Sequence, residues 1–233
     1  TASGSDFRHI LEADNNTANT ALWIWATSTL IGVTTSGASG NLSSSKAVVT
    51  LDTWQHIVIT IDVDNAQAYP NIHVNGGAAQ VMDFYFSNGS SGAMYTINES
   101  IHFFGNDSNV SNAELMGSLQ EFGIWSKELT QDDVTEIYNN GNYFSLLAAS
   151  STTNIIDYWA FGTELGTSNI GTAVPPGTII QATKGLTHLT ASSDCQIVIT
   201  QGFYSTLGPP IVDMGSVSNY MNLELASIPT ASY

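Results

Sequence analysis

The stretch TWQHIVITID (Thr53–Asp62), followed by IHVNG (Ile72–Gly76), decides the fold of this chain. The first is an apolar, β-branched run that enters a polar turn, and the second is a shorter run that ends in Asn75-Gly76. Such runs are typical of β-strands, and Asn-Gly after a strand is typical of a tight hairpin turn. The two segments therefore predict two antiparallel strands with a hairpin turn after the second.

Further strand signals recur along the chain at spacings of about 8 to 12 residues, which are typical of a β-sandwich. The sequence predicts strands in Leu22–Ala26, Ala47–Leu51, Val81–Phe86, Ile101–Gly105, Ile155–Gly162, Gln196–Thr200 and Ile211–Val212. The Gly/Ser-rich segment Ser36–Ser45 is predicted to be a turn. Trp23 and Trp25 are predicted to lie in the core. The fold class that follows is all-β.

A second informative stretch, GSLQEFGIW (Gly117–Trp125), predicts another strand and leads into a helix that runs through Tyr138. The hydroxyl of Thr130 can cap the amide of Asp133, and acidic residues in the first turn favour the positive end of the helix dipole. Gly141 is predicted to end the helix. The sequence thus predicts one short helix that packs against the strands.

These segments resemble the laminin-G-like branch of the concanavalin-A-like jelly rolls, over roughly residues 5 to 141. In that family a W-x-H-(V/I) strand, a (V/I)-N-G hairpin and a G-x-(I/L)-x-(D/E)-(V/F)-x-(I/V)-W strand recur, with L-(S/T)-x-x-(E/D)-(V/I) after the last. The resemblance implies an antiparallel jelly-roll β-sandwich with one short helix. It specifies function only weakly, because the same sandwich serves sugar binding, protein binding and scaffolding.

The domain organisation predicted from these patterns has two parts. Residues 1–147 form the laminin-G-like jelly roll, and residues 148–233 form an irregular, β-rich C-terminal extension. In laminin-G-like chains another strand usually precedes the position of Thr1. The resemblance therefore implies that the first strand is missing and that the sequence is a segment of a longer protein.

The charge balance argues against two classes of partner. Among 233 residues there are four cations (Arg8, Lys46, Lys127 and Lys184) and twenty carboxylates, which gives a formal net charge of −16. Such a surface is repelled by phosphate backbones and by anionic lipid headgroups. No apolar run reaches the roughly 18 residues that a membrane helix needs. We therefore expect neither nucleic-acid binding nor membrane insertion.

No motif of a known enzyme class is present in the sequence. Glycosidases of the same sandwich class carry E-x-D-x-x-E, whose alternating carboxylates point into one groove. The nearest segments here are Glu12-Ala13-Asp14 and Asp62-Val63-Asp64, and neither has the third carboxylate. The second pair is better explained as turn-forming aspartates. The prediction is that the chain is not an enzyme.

Calcium is an open alternative, because many relatives of the resembled family hold one Ca²⁺ at a rim of the sandwich with loop oxygens. The candidate ligands are Asp14, Asp64 and Asp107, each in a loop predicted to carry a second Asp or Asn. Calcium needs about six oxygens, so two of these loops would have to converge. The alternative reading, solvated loop carboxylates and no cofactor, is favoured.

Sugar binding would use exposed aromatic rings against apolar sugar faces, with short amides reading the hydroxyl groups. The candidate residues are four members of the polar loop 106–112 and two loop tyrosines: Asn106, Asp107, Asn109, Asn112, Tyr69 and Tyr95. The alternative is a flexible, neutral surface loop, with tyrosines that are either packed or singly exposed. Six Asn-x-Ser/Thr glycosylation triplets also occur, a pattern that a composition rich in Ser, Thr and Asn produces readily; they begin at Asn15, Asn41, Asn88, Asn98, Asn106 and Asn109.

The sequence is best interpreted as a non-enzymatic structural or adhesion module on the outside of a virion or cell, in contact with glycans. A hydroxyl-rich surface with few cations suits a subunit that is held among neighbouring copies in a homo-oligomer or particle. The alternative is a dedicated, lectin-like carbohydrate-binding module, and a glycoside hydrolase is a distant third. The expected location is extracellular, at a virion surface or a cell surface.

Overall fold

The structure is a computed structural model of the whole chain. It describes residues 8–15, 19–38, 40–65, 67–89, 93–95, 101–103, 118–119, 121–141, 144–159, 179–181, 184–185, 188–191, 196–198, 211–213 and 221–224.

The described residues form seventeen β-strands and one α-helix. The strands are, in chain order, β1 Arg8–Asn15, β2 Asn19–Ala26, β3 Leu30–Gly37, β4 Gly40–Ala47, β5 Ile57–Thr60, β6 Asn71–Val74, β7 Gln80–Val81, β8 Asp83–Ser87, β9 Ile101–Phe103, β10 Ser118–Leu119, β11 Phe122–Trp125, β12 Ile155–Trp159, β13 Ile179–Gln181, β14 His188–Ala191, β15 Gln196–Val198, β16 Ile211–Asp213 and β17 Met221–Glu224. The helix is α1, Gln131–Tyr138, followed by three short 3₁₀ segments, Asn139–Gly141, Leu146–Ala148 and Ser150–Asn154.

One large sheet and three small ones contain all of these strands. The large sheet has nine strands in the order β13-β14-β17-β9-β1-β2-β3-β4-β8, and the small sheets are β5-β6-β7, β11-β12 and β10-β16-β15. Every registered strand pair is antiparallel. The prediction of an all-β, antiparallel jelly-roll sandwich with a short helix is confirmed.

One hydrophobic core joins the large sheet to the β5-β6-β7 sheet. Ile31 and Val33 of β3 pack in one buried cluster with Ile72 of β6 and with Met82, which joins β7 to β8. Side chains alternate between the two faces of a strand. The residues of β3 next to Ile31 and Val33 therefore face the outer side of the large sheet. The core therefore fixes which residues that outer face presents.

The hairpin predicted from the opening stretch is present. Ile57 pairs with Val74, and Thr60 pairs with Asn71. In the turn that follows, Asn75 has φ of 51° and Gly76 has φ of 71°, the left-handed conformation that Asn-Gly accommodates in type I′ turns. The turn leads into β7, which pairs with β6.

The helix begins as predicted and runs through Tyr138 as predicted, but a different residue caps its end. The backbone N–H of Asp133 donates to Oγ1 of Thr130 at 3.2 Å, and the backbone N–H of Thr130 donates to Oδ2 of Asp133 at 2.9 Å, which is a reciprocal capping box. The cap at the other end is Asn139, left-handed with φ of 45°. The prediction that Gly141 ends the helix is wrong, because asparagine tolerates that conformation and stops the helix first.

Replacing Thr130 with alanine is expected to lower the free energy of unfolding by about 1 kcal/mol, because the first turn loses its capping oxygen. Thr135→Ala is the matched control in the same helix, since the exposed Thr135 hydroxyl caps no helix end: it donates to the Gln131 carbonyl at 2.8 Å and accepts from Nε2 of Gln131 at 3.1 Å. Urea unfolding followed by circular dichroism measures both variants. Equal losses in the two would contradict the capping role.

Two local predictions around β4 are wrong. Ser36–Ser45 is not a turn, because most of it belongs to the β3–β4 hairpin, which reverses at Gly37 and Gly40. Ala47–Leu51 is not a strand beyond Ala47. The side-chain amide of Gln55 replaces a strand partner there: its Oε1 accepts from the Thr50 N–H and its Nε2 donates to the Val48 carbonyl, both at 2.8 Å.

Strands from beyond residue 147 pair with strands from before it. β12 pairs with β11, and β17 pairs with β9 inside the large sheet. The domain boundary at residue 147 stays a prediction. Among the described residues, no helix is long and apolar enough to cross a membrane.

Candidate functional site

A groove lies on the outer face of the large sheet. Leu22 and Ile24 of β2 pack toward the core, so alternation places Trp23 and Trp25 on the opposite face. The register aligns Trp23 with Thr34, Thr34 with Ser43, and Ser43 with Phe86. Four neighbouring strands thereby contribute one row of side chains to the groove.

The groove encloses a cavity of about 550 Å³, within the range of roughly 300–1,000 Å³ for small-molecule sites. Its lining consists of three aromatic residues, five hydroxyl or amide residues and two glycines: Trp23, Phe86, Tyr95, Thr34, Ser36, Ser43, Asn41, Asn88, Gly37 and Gly40. None of these described lining residues is charged. Apolar rings beside neutral donors and acceptors match the two kinds of surface that a sugar presents.

Hydrogen bonds between strands and loops hold the rim of the groove. The Asn41 N–H donates to Oδ1 of Asn88 at 2.9 Å, and the Asn88 N–H donates to the Asn41 carbonyl at 3.2 Å. The Tyr95 N–H donates to the Ser36 carbonyl at 2.9 Å. The lining side chains are therefore carried by backbone that is already fixed, which reduces the ordering cost of binding.

The floor of the groove is a hydrogen-bonded chain. Nε1 of Trp25 donates to Oγ1 of Thr34 at 3.3 Å, and the hydroxyls of Thr34 and Ser43 are 2.7 Å apart. Each hydroxyl can donate one hydrogen bond and accept two, so the pair retains capacity for a further polar group. The floor can therefore contribute to reading a hydroxyl-bearing ligand.

One ionisable pair lies beside the groove without lining it. Oε2 of Glu12 is 3.3 Å from Nδ1 of His9, and both side chains are buried. The His9 ring lies against Trp23, with centroids 4.6 Å apart, and Trp25 lies 6.2 Å from Trp23. The pair and its neighbouring rings support Trp23 from one side.

The prediction that Trp23 is a core residue is wrong, because it is only partly buried and lines the groove.

The structure places one predicted ligand residue in this groove, namely Tyr95. Tyr69 is 44% exposed and does not line it. The loop candidates Asn106, Asp107, Asn109 and Asn112 lie outside the described residues. The sequence did not predict the other groove residues as a binding site. Asn41 and Asn88 were predicted only as the first residues of glycosylation triplets.

The structure also places two of the three predicted calcium ligands. Asp14 lies within strand β1, where it pairs with Thr20, so the prediction of a loop at Asp14 is wrong. Asp64 is exposed, and its N–H donates to Oδ1 of Asp62 at 3.0 Å, which is a turn-forming contact. Asp107 lies outside the described residues. In the described parts of the chain, no three His, Cys, Asp or Glu side chains come together as a metal site. Calcium binding stays a prediction.

A second cavity, of about 520 Å³, lies between the β6–β7 turn and the start of the helix. Its lining includes His73, Glu128 and Gln131. His73 is buried and its Nδ1 is 3.0 Å from the Gly77 carbonyl. The lining residues that the structure describes include no Trp, Tyr or Phe, so this cavity suits a sugar less well than the groove does.

Comparison with known families agrees with this architecture. A model of a laminin-G-type family, described as the concanavalin A-like lectin/glucanases superfamily, matches residues 1–135. The chain belongs to this superfamily. Members of laminin-G type generally serve as carbohydrate-binding or adhesion modules, and the superfamily also includes glycosidases. Searches of curated proteins and of solved structures gave no significant match.

Proposed function

We propose that the chain is a non-enzymatic module on the outside of a cell or virion, and that it contacts glycans through the groove on the outer face of the large sheet. The observation that carries this proposal is the lining of the groove. Three aromatic side chains flank a row of hydroxyl and amide groups in a cavity of about 550 Å³. Membership of a superfamily with many sugar-binding modules supports the same role.

The lining also supports a binding role over a hydrolytic one. Glycoside hydrolysis ordinarily uses two carboxyl groups that flank the scissile bond, about 5 to 10 Å apart. The groove lining contains no carboxylate among its described residues. The neighbouring Glu12 is 5% exposed and is held beside His9. We therefore propose that a bound glycan leaves the groove unchanged.

A role as a subunit of an assembly is the second candidate, and a surface at the sandwich edge favours it. Strand β8 ends the large sheet, and β7 and β8 together expose four large apolar side chains: Val81, Phe84, Tyr85 and Phe86. Exposed apolar patches often mark protein contacts. Light scattering on the purified chain distinguishes the candidates, because a discrete oligomer favours the assembly role and a sugar-binding monomer favours the lectin-like role.

Replacing Tyr95 with alanine is expected to weaken glycan binding about tenfold, equivalent to about 1.4 kcal/mol, because the groove loses one aromatic wall. The backbone bond from Tyr95 to Ser36 does not depend on the side chain, so the rim keeps its shape. Tyr69→Ala is the matched control, since Tyr69 is an exposed tyrosine outside the groove. Glycan-array screening followed by calorimetry on the strongest hit measures both variants.

The array is run once with calcium and once with EDTA. Binding that persists in EDTA and falls in Tyr95→Ala supports the groove. Binding that disappears in EDTA, with Tyr95→Ala unaffected, would instead direct attention to Asp14, Asp64 and Asp107. The glycan proposal fails if no glycan binds under either condition while the fold is intact by circular dichroism.

A further inference from the structure

The chain has four side chains with a fixed positive charge, and none of them lines the groove. All four lie in the described part of the chain. Lys46 forms an ion pair with Asp83 at 3.3 Å, and Lys127 lies 3.8 Å from Asp133. Nζ of Lys184 donates to the carbonyl of Thr152. The fourth, Arg8, begins β1 and pairs with Ala26, away from the row that forms the groove.

Among the described side chains and helix ends, two further groups that commonly bind anions are already engaged. The N-terminus of α1 is closed by the capping box, in which the carboxylate of Asp133 already accepts from the Thr130 amide. The imidazole of His9 lies beside Glu12 and is buried.

Two electrostatic effects therefore act against an anionic ligand. A carboxylate or sulfate that enters a groove without a cation loses hydration and gains no compensating charge. At longer range the net charge of −16 repels it before contact. Neither effect acts on an uncharged sugar, whose hydroxyls can exchange water for the Thr34, Ser43 and Asn41 groups of the lining.

We infer that the groove selects uncharged glycans, meaning pyranose oligosaccharides without carboxylate, sulfate or phosphate groups. This inference rests on the proposed function and names the ligand class of the same site. It separates this chain from modules that hold acidic polysaccharides on clusters of lysine and arginine.

Matched pairs of glycans test the inference. The probes are lactose with 3′-sialyllactose and 3′-sulfolactose, N-acetyllactosamine with its sialylated and sulfated forms, and maltopentaose with sulfated maltopentaose. The expected result is that a neutral member binds and that its anionic counterparts bind about tenfold more weakly or less. The preference should shrink in added salt but persist, because salt screens long-range repulsion and does not restore lost hydration.

A charge-introducing variant provides the complementary test. Ser36 of strand β3 lines the groove, and its hydrogen bond at the rim joins its backbone carbonyl to the N–H of Tyr95. Ser36→Lys should therefore keep the fold and raise the affinity for the anionic member of a pair several-fold. Ser36→Gln is the matched control of similar length without charge, and it should keep the neutral preference.

The outcomes separate the two proposals. Equal or tighter binding of the anionic members by the unmodified chain, lost in Tyr95→Ala, overturns the inference and leaves the glycan-binding groove standing. Failure of every member to bind overturns the proposed function and the inference with it. A neutral preference that Ser36→Lys does not change also overturns the electrostatic explanation.

Discussion

Replacing Gly32 with valine will lower the free energy of unfolding by about 3 kcal/mol, the upper part of the usual range for overpacking. A Cβ atom at Gly32 would lie 2.1 Å from Cζ2 and 2.2 Å from Cε2 of Trp25. Trp25 cannot withdraw easily, because it is 1% exposed and its indole N–H is bonded to Thr34. Strand propensity alone predicts the opposite sign, since valine is favoured over glycine in strands.

A double-mutant cycle with Trp25→Leu assigns the loss to this contact. Shortening Trp25 is itself destabilising, because it leaves a cavity and removes the hydrogen bond to Thr34. The combined variant should lose clearly less stability than the sum of the two single-variant losses, because leucine leaves room for the valine. Denaturant unfolding of the four proteins measures the cycle. Additive losses would show that the Gly32 effect comes from elsewhere.

Lowering the pH from about 6.5 to 4 is expected to cost up to about 3 kcal/mol of stability through His56 alone. Burial, and then the charge of neighbouring His73, lower the pKa of His56 from 6.5 to about 4. In this window the unfolded chain binds a proton at His56 and the folded chain does not. The contribution of His56 to the free energy of unfolding is therefore complete above pH 6.5. It decreases as the pH drops and is lost below about pH 4.

The variant His56→Gln removes this titration and should flatten the stability curve between pH 6.5 and 4. It keeps the backbone contacts of residue 56 with Asn75, which join the N–H to Oδ1 at 2.9 Å and the carbonyl to the N–H at 2.8 Å. A second loss belongs to Asp133, whose pKa is held below 3.8 mainly by the Thr130 amide. That loss sets in as the pH falls toward 3.8 and continues in more acidic solution, so it overlaps only the acidic end of the His56 window. A wild-type curve that is flat between pH 6.5 and 4 would contradict the His56 prediction.

The parts of the fold that the sequence predicted are those with local signals. The β6–β7 turn follows from Asn75-Gly76, because few residues other than asparagine and glycine accept two successive positive φ angles. The start of α1 follows from Thr130 and Asp133, three residues apart. The residue that caps the end of the same helix was misassigned, since Asn139 and Gly141 both suit a helix end and the sequence does not rank them.

The β3–β4 hairpin was missed because its composition reflects the groove. Leu42 is buried on the core side of β4, whereas Asn41, Ser43 and Ser45 occupy the alternate positions on the outer face. A strand whose outer face lines a polar groove carries serine and asparagine at positions where strands usually carry valine or isoleucine. The residues that give the site its chemistry therefore weaken the strand signal.

The groove itself could not be read from the sequence, because it depends on register between distant strands. Trp23, Ser43 and Phe86 are aligned only by the pairings of β2 with β3, β3 with β4, and β4 with β8. A slip of one residue in any pairing would turn one of these side chains to the core. Tyr95 was found because it is an aromatic residue in a polar loop, a signal that needs no register.

Strand β9 has consequences for how the chain acquires its structure during synthesis. Phe103 pairs on one side with Leu11 and on the other with Met221, so β1 and β17, the first and last strands that the structure describes, are both neighbours of β9. Contacts of such long sequence separation form slowly and late. One edge of β9 therefore stays unpaired until β17, which follows it far along the chain, has been synthesised. A chaperone that shields strand edges should raise the yield of folded protein by protecting β9 during this interval.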